Sequence, residues 1–289
     1  EDEEDGTEPQ DEDENEVEYT EALNAVVDYL TKNLTTMDWY GYSAIRSFGE
    51  NIQSQAVDHE LKSLSEDGFI ENAQAIDLAR IILILTAAGY DVTDIHGTNL
   101  VKELLNKRMQ TNNFYIYSLL AIDSANYEIP QGTEWTRESL VEKILELELD
   151  NGGWSFFGDT PSTDITGMAL LALSPYKDQP DVKKAINRAI EAMSYLQDEN
   201  GGFYEEFNGG FTSEAASMLI VGLSSVGVDA TSQAFTKADR NLLEFLLSFQ
   251  LEDGSFKHVI DDNKSSEFAT NQAALALVAY DKFKKNDGT

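Results

Sequence analysis

Three carboxylates occupy matching positions in the second half of the chain, and their spacing is the first sign of chemistry. Asp164, Glu214 and Glu267 lie 10, 11 and 11 residues after an aromatic residue, and an apolar segment follows each of them. One interpretation is helix capping, because Ser, Thr and acidic residues favour the first turn of a helix. The other is a ring of carboxylates around a pocket, able to bind cations or hydroxyls or to act as acid and base. The spacing leaves both open.

These carboxylates belong to a longer repeat. Three segments, 148–154, 197–203 and 250–256, read Gln or Glu, three residues, Gly, one small residue and then an aromatic ring. Glycine permits the positive φ with which a helix ends and the chain turns inward. The aromatic ring anchors such a turn by burying a large apolar surface. We therefore predict that Trp154, Phe203 and Phe256 are buried at equivalent turns.

Two kinds of helix alternate around the repeats. Segments before each motif are amphipathic, as shown by Leu242, Phe245, Leu246 and Phe249 at helical spacing. Segments after each motif, such as MALLAL at 168–173, are apolar nearly all round and so must be buried on most sides. This alternation predicts an all-α fold with an outer ring of helices around an inner ring, an α/α toroid of five to six helical hairpins. No run alternates with the period of a strand.

The repeats resemble those of the prenyltransferase and squalene-cyclase repeat family, whose fold is the terpenoid cyclase-like α/α toroid. Residues 72–91, NAQAIDLARIILILTAAGYD, and 114–123, FYIYSLLAID, resemble inner helices of toroid domains in Gram-positive surface proteins. The resemblance covers about 19–283 and implies a six-hairpin barrel. Toroids of this kind include terpenoid cyclases, protein prenyltransferase β subunits and the α domain of cobalamin carriers, and the fold does not choose among them.

The catalytic motifs of that family are missing from the sequence. It contains no Asp-x-Asp-Asp and no Asp-Asp-x-x-Asp run, and it has no cysteine. His59, His96 and His258 lie on unrelated segments, which disfavours a zinc site. We therefore favour a non-catalytic domain without a cofactor. Oxygen-rich loops at 150–151, 198–200, 205–206 and 261–263 make calcium the ion to consider, although none has the spacing of an EF-hand loop.

Further candidate ligand contacts follow if the inner helices all begin at one mouth of the barrel. Asp77 would then join the three repeat carboxylates, and carboxylates that share a cavity should raise one another's pKa. Tyr115, Tyr117 and Trp154 would supply apolar, stackable faces in the same place, although packing in the core explains them equally well.

Charge and composition limit the partners. The chain has 289 residues, 53 acids, 20 bases and a net charge of −33, which argues against nucleic acid and anionic membranes. No apolar run approaches the roughly 20 residues of a membrane span. Residues 1–18 hold twelve acids and no base, so we predict a disordered acidic spacer there, a single toroid domain at 19–283 and a linker at 284–289.

The sequence as a whole predicts an extracellular or cell-surface module that binds a small molecule or a surface partner. The chain begins with Glu rather than Met, so we expect a lost signal segment and flanking domains in a longer protein. Analogy with cobalamin carriers makes a corrinoid-like ligand the most concrete expectation. One alternative is an enzyme acting on an isoprenoid or a polysaccharide, with the mouth carboxylates as acid and base. Another is a structural spacer at the cell surface.

Overall fold

The computed structural model of the chain describes residues 11–33, 37–52, 54–205 and 209–286. Helices make up most of this part. In chain order they are α1 (Asp11–Lys32), α2 (Trp39–Phe48), α3 (Asp58–Leu64), α4 (Phe69–Asn72), α5 (Ala75–Ala87), α6 (Leu100–Leu105), α7 (Asn112–Asp123), α8 (Arg137–Glu146), α9 (Thr163–Leu173), α10 (Pro180–Leu196), α11 (Ser213–Val226), α12 (Leu242–Leu247) and α13 (Glu267–Lys285). Short 3₁₀ turns cover Ser54–Val57, Ser174–Tyr176 and Gln233–Phe235.

The described helices form two concentric rings. Helices α2, α5, α7, α9, α11 and α13 form the inner ring, in which each helix contacts the next and α13 contacts α2. Helices α1, α6, α8, α10 and α12 pack outside, and the short α3 and α4 precede α5 in the place of an outer helix. The predicted α/α toroid is confirmed, with six hairpins in the described part of the chain.

Burial explains why the two kinds of helix separate. Every residue of α11 from Ser213 to Ser225 is buried, whereas α10 buries one face only. Helices α9 and α11 touch backbone to backbone. A Cβ atom on Gly167 would stand 2.2 Å from the Met218 carbonyl oxygen, and one on Gly222 would stand 2.5 Å from the carbonyl oxygen of Gly167. Only glycine permits this approach.

The aromatic residues of the three repeats anchor their turns as predicted. Trp154, Phe203 and Phe256 are 0%, 3% and 0% exposed. The Trp154 indole N–H donates to the Ile144 carbonyl at 2.7 Å, which ties the turn to the end of α8. The prediction that these rings are buried at equivalent turns is therefore confirmed.

The first residue of each repeat fastens its turn to the next outer segment. The Gln197 amide donates to the carbonyls of Gly201 and Phe235, both at 2.8 Å. In the first repeat the corresponding Glu148 pairs with Arg188 of α10, Oε1 to Nε at 2.8 Å.

In the last repeat the same position closes the outer ring. The Gln250 amide donates to the Ala22 carbonyl of α1 at 2.9 Å. Gly254 has φ +89°, and a Cβ there would stand 2.4 Å from the Ala25 carbonyl oxygen. The last repeat is thus seated on the first helix of the chain.

Two short ribbons add strand structure that the sequence does not predict. Strand β1 (Tyr204–Glu205) pairs antiparallel with β2 (Gly210–Phe211), and β3 (Thr236–Lys237) pairs antiparallel with β4 (Arg240–Asn241). Each strand has two residues, so it is too short to show the alternation by which strands are found in a sequence.

The ends of the domain differ from the predicted boundaries. Helix α1 begins at Asp11, inside the 1–18 segment for which composition predicts disorder, while residues 1–10 lie outside the described part. Acidic residues suit a helix N-terminus, and the buried residues from Tyr19 to Leu30 hold this helix on the core. Helix α13 runs to Lys285, into the predicted linker 284–289, because its last-turn lysines suit a helix C-terminus. No helix in the described ranges is both long and apolar enough to cross a bilayer.

Candidate functional site

The six inner helices run in the same direction, so their N-termini meet at one end of the barrel, which we call the mouth. A cavity of about 220 Å³ lies there. Its walls come from the first two turns of the inner helices and from the loop that carries His258. The fold thus places polar first-turn residues of separate hairpins around one space.

The lining residues occupy equivalent positions on successive helices. In pairs one helical turn apart, they are Asn113 and Tyr117, Asp164 and Met168, Glu214 and Met218, and Phe268 and Gln272. Because residues four apart lie on one face of a helix, each inner helix presents one stripe to the cavity.

Matching hydrogen bonds establish this register. The Thr166 hydroxyl accepts from the Trp154 backbone N–H at 3.0 Å, and the Thr270 hydroxyl accepts from that of Phe256 at 2.9 Å. Thr166 and Thr270 are therefore equivalent. Two residues earlier, Phe268 takes the place of Asp164, and Glu267 stands one position before it.

Asp164 is a partly buried acid with two other carboxylates, Glu205 and Glu214, nearby. Its Oδ1 accepts from the Ile165 N–H at 2.7 Å. Burial, the nearby Glu205 and, more weakly, Glu214 raise the pKa of Asp164 to about 6. Glu205 is held by the N-terminus of α9, where its Oε1 accepts from the Thr163 N–H at 2.7 Å.

Glu214 forms an acid–imidazole pair with His258. Glu214 Oε1 lies 2.9 Å from His258 Nδ1, and the Ser213 hydroxyl oxygen lies 3.2 Å from Glu214 Oε2. Burial raises the pKa of Glu214, and the hydrogen bond from His258 opposes that rise. Two hydrogen bonds from Ser213 hold the loop that carries His258. The Ser213 N–H donates to the His258 carbonyl, and the Ser213 hydroxyl donates to the Lys257 carbonyl.

Aromatic rings line the same cavity as these acids. The hydroxyls of Tyr40 and Tyr117 lie 2.8 Å apart, and the Tyr40 hydroxyl also donates to Met168 Sδ at 3.5 Å. Burial raises the pKa of Tyr40 well above its usual value, so this phenol stays neutral. The Arg80 guanidinium lies 5.1 Å from the centre of the Tyr117 ring, and Phe268 meets Tyr40 edge to face.

Two amide oxygens at the cavity have no donor. Gln272 is 3% exposed, and its Oε1 has no hydrogen-bond partner among the described residues. Asn113 Oδ1 is also buried and has no hydrogen-bond partner among the described residues. A buried acceptor left unpaired costs about 1–3 kcal/mol. Both oxygens are enclosed by protein atoms, so a molecule in the cavity does not reach them unless these side chains move.

Asp38 extends the acidic character of the mouth to α2. Its Oδ1 accepts from the N–H groups of Tyr40 at 2.9 Å and Gly41 at 3.3 Å, so it caps this helix. Burial raises its pKa to about 6, and the backbone hydrogen bonds and Arg80 oppose the rise. Within the described residues, no three His, Asp or Glu side chains are arranged to hold a metal ion.

Solved structures with the same architecture include a type II terpene cyclase from Scytonema, with a TM-score of 0.61 and 12% identity over 92% of this chain and 98% of that one. A possible GH105 family member from Salmonella enterica subsp. enterica serovar Paratyphi A has a TM-score of 0.56 and 10% identity, covering 98% and 97% of the two chains. The chain has the terpenoid cyclase-like α/α toroid fold. The ent-copalyl diphosphate synthase of Streptomyces platensis has a TM-score of 0.54 and 15% identity, and the match covers 86% of this chain and 50% of that one.

Sequence relatives add little about the toroid. No known family model matches the chain. The DNA protection during starvation protein of Streptococcus suis is 24% identical over 104 residues, which is 36% of this chain and 59% of the relative's length. A match that covers about a third of this chain transfers neither a family nor an activity.

The structure brings some of the predicted site residues together and separates others. Those that line the mouth cavity are Tyr117, Asp164 and Glu214. Those outside it are Asp77, Tyr115, Trp154 and Glu267. Asp77 closes a capping box by accepting from the Gln74 N–H at 3.1 Å, and the Tyr115 hydroxyl donates to the Met109 carbonyl. Trp154 lies in the core, and Glu267 is exposed one position before the cavity-facing residue.

The sequence interpretation missed other residues around the cavity, namely Tyr40, Arg80, Asn113, His258, Phe268 and Gln272. A signal existed for part of this set, because Asn113 and Gln272 lie one helical turn from residues on the same inner face. It was absent for Tyr40, whose helix follows no repeat motif, and for His258, which lies in a loop.

Proposed function

We propose that the toroid is a non-catalytic binding module that takes a small molecule into the mouth cavity. The observation that carries this proposal is the cavity itself, in which the carboxylates of Asp164 and Glu214 share one space with the rings of Tyr40, Tyr117 and Phe268. A concave, partly apolar site with a few convergent polar groups is the usual form of a small-molecule site.

The size of the cavity limits the ligand. A volume of about 220 Å³ lies below the range of about 300–1,000 Å³ typical of drug-sized ligands. A corrinoid, the expectation from the cobalamin carriers, would have to rest across the mouth and insert only one substituent. An extracellular or cell-surface location and a Gram-positive source rest on the sequence resemblance alone.

A thermal-shift panel of small polar metabolites, oligosaccharides and corrinoids tests this function. Gln272→Leu should raise the melting temperature of the free protein, because it removes a buried unpaired acceptor, and should abolish the shift caused by any ligand of the wild type. Ser217→Ala is the matched control, since Ser217 is also buried with an unpaired oxygen but does not line the cavity. Ligand shifts that survive Gln272→Leu would place binding elsewhere.

The second candidate function is acid–base catalysis by Asp164. An acid with a pKa of about 6 beside the apolar Ile165 and Met168 has the character of a general acid. The Scytonema cyclase has been solved with geranylgeranyl dihydroxybenzoate as its substrate. Incubation with geranylgeranyl diphosphate or oligosaccharides, followed by mass spectrometry, tests this function. Product formed by the wild type and lost in Asp164→Asn would replace the binding proposal with an enzyme.

A further inference from the structure

We propose that the mouth binds a neutral oligosaccharide end-on, with the terminal sugar in the cavity and the following units against three exposed aromatic rings at the edge of the mouth. We call these rings, Phe156, Tyr204 and Phe268, the rim rings. The inference rests on the proposed binding function and names the ligand class. It is carried by the position of the rim rings and by the mixture of donors and acceptors in the cavity.

Each of the last three hairpins places one rim ring at the mouth. Phe156 and Tyr204 lie between the buried ring of a repeat and the next helix cap, and Phe268 lies in the first turn of α13. The three side chains are 43%, 63% and 50% exposed. Large apolar side chains exposed around one opening indicate a surface that binds a ligand or a partner.

Contacts with the inner helices fix the rim rings at the mouth. The loop of Phe156 is held at the start of α7, where the Ser155 carbonyl accepts from Asn112 Nδ2 at 2.9 Å. The loop of Tyr204 is held at α9, where the Glu205 carboxylate accepts from the first backbone N–H of the helix at 2.7 Å. The third rim ring itself lines the cavity. The rim rings therefore continue the cavity wall outward.

Each rim ring is supported by a second ring that it meets edge to face. The pairs are Phe156 with Phe157 at 4.2 Å, Tyr204 with Phe211 at 5.4 Å and Phe268 with Tyr40 at 5.8 Å between ring centres. A supported aromatic ring loses little conformational freedom when a ligand binds. Its negative face attracts polarised C–H groups, which line the faces of a sugar ring.

The polar groups of the cavity favour hydroxyls. The carboxylates of Asp164 and Glu214 are acceptors, whereas the amide nitrogens of Asn113 and Gln272 are donors. Neither nitrogen has a hydrogen-bond partner among the described residues, and neither is enclosed as the amide oxygens are. A hydroxyl both donates and accepts, so a sugar unit satisfies both sets. An apolar chain in the cavity would leave both unpaired.

Size and charge narrow the ligand further. The cavity of about 220 Å³ takes only part of an oligosaccharide, so the remaining units must lie outside it, where the rim rings stand. The net charge of −33 opposes an acidic polysaccharide and leaves a neutral one. Pyranose units with equatorial hydroxyls expose C–H groups on both faces, which suits stacking on a ring.

The experiment compares cellobiose with cellohexaose, two chains of such units that differ only in length, by isothermal titration at pH 7.5. The wild type should bind cellohexaose at least about tenfold more tightly, which corresponds to about 1.4 kcal/mol. Phe156→Ala and Tyr204→Ala should each weaken cellohexaose binding by about threefold to tenfold and change cellobiose binding by less than about twofold. Gln272→Leu should weaken the binding of both sugars, because it removes a donor of the cavity.

Tyr195→Ala is the matched control for the rim variants. Tyr195 is an 87% exposed ring near the end of the outer helix α10 and does not line the mouth cavity. Its removal should leave the affinity for both sugars unchanged. Circular dichroism and thermal melts of each variant exclude a folding defect as the cause of lost binding.

The outcomes separate this inference from the function on which it rests. Equal affinity for the two sugars, or equal losses in the rim variants and in Tyr195→Ala, overturns the end-on arrangement. Binding of hexalysine without binding of cellohexaose assigns the mouth to a basic peptide and overturns the oligosaccharide. Absence of sugar binding also overturns it, and the corrinoids and small metabolites of the thermal-shift panel then decide the binding function by themselves.

Discussion

The two ends of the barrel are built from the same helices but treat their polar groups differently. At the end opposite the mouth, Arg137 donates to Asp123 Oδ1 at 2.6 Å and to the carbonyls of Ile122 and Tyr127 at 3.0 and 2.7 Å. The Tyr176 hydroxyl donates to the other Asp123 oxygen at 2.7 Å. This network satisfies both carboxylate oxygens of Asp123, whereas the carboxylate of Asp164 at the mouth accepts from the Ile165 N–H and has two other carboxylates nearby. The Arg137 network therefore has a structural role, and a binding role for the mouth acids is the proposal made above.

First-turn acids show the same contrast in their ionisation. Glu138, exposed at the start of the outer helix α8, has a lowered pKa because its own backbone and Thr136 hydrogen-bond its carboxylate. Asp164 and Glu214, at the start of inner helices, have raised pKa values because of burial. Burial decides the direction of the shift, since Asp38 caps α2 and also has a raised pKa.

The largest expected effect on stability comes from a residue that anchors a turn of the toroid rather than from one that lines the cavity. Phe203→Ala removes a ring that is 3% exposed at a repeat turn, and it should lower the free energy of unfolding by about 3–5 kcal/mol. Urea denaturation followed by circular dichroism measures this loss. A loss below about 1 kcal/mol would mean that the repeat turns do not anchor the toroid.

The next effect tests the opposite end. Arg137→Met leaves the partly buried Asp123 without its cation and should cost about 3 kcal/mol in the same denaturation experiment. Lys184→Met is the matched control, because Lys184 and its partner Asp181 are both exposed, and it should cost roughly 0–1 kcal/mol. Equal losses for the two variants would contradict the structural role assigned to the Arg137 network.

The smallest expected effect is a gain in stability at the mouth. Asp164 has a raised pKa of about 6, so its ionisation destabilises the folded state as pH rises from about 4 to 6, and the full penalty remains above that. Asp164→Asn should therefore be more stable than the wild type at pH 7.5, by an amount on the order of 1 kcal/mol, and equal to it near pH 4. Thermal melts across this pH range measure the difference.

Glu138→Gln should change the stability at neutral pH in the opposite direction to Asp164→Asn. A lowered pKa means that ionised Glu138 stabilises the folded state at neutral pH and that this stabilisation is lost in acid. The Gln variant should thus be less stable than the wild type at pH 7.5 and converge with it at low pH. If both variants lost stability at neutral pH, the distinction between buried and exposed first-turn acids would fail.

The sequence predicts the rings and turns of this fold well because its repeats express them directly. Glycine, a buried ring and an apolar helix recur with each of the last three hairpins. The site is harder to predict because the loop from the aromatic residue to the helix cap lengthens by one residue per repeat, from Trp154–Ser162 to Phe203–Thr212 and Phe256–Ser266. A fixed distance from the aromatic residue therefore predicts Glu267 as the cavity residue of the last repeat. A fixed distance from the helix cap predicts Phe268 instead, and Gln272 one turn later.

The first three hairpins lack the motif, and their contribution to the cavity depends on tertiary contacts. Tyr40 reaches the site because α2 packs against α13, and a Cβ on Gly41 would stand 1.9 Å from Asn271 Oδ1. Arg80 reaches it from the second turn of α5. Neither approach is visible in local spacing, since each depends on how the inner ring closes.

The seating of Gln250 and Gly254 on α1 has a consequence for how the domain unfolds. In an open array of repeats, the terminal units have one neighbour each, so stability is a sum over independent interfaces and the ends can fray. Here the last hairpin meets the first, and the rings of Tyr19 and Tyr280 lie 5.2 Å apart across that junction. Loss of any hairpin breaks two interfaces instead of one. We therefore expect the closed ring of helices to unfold as a single cooperative unit, with no terminal hairpin that can be lost alone.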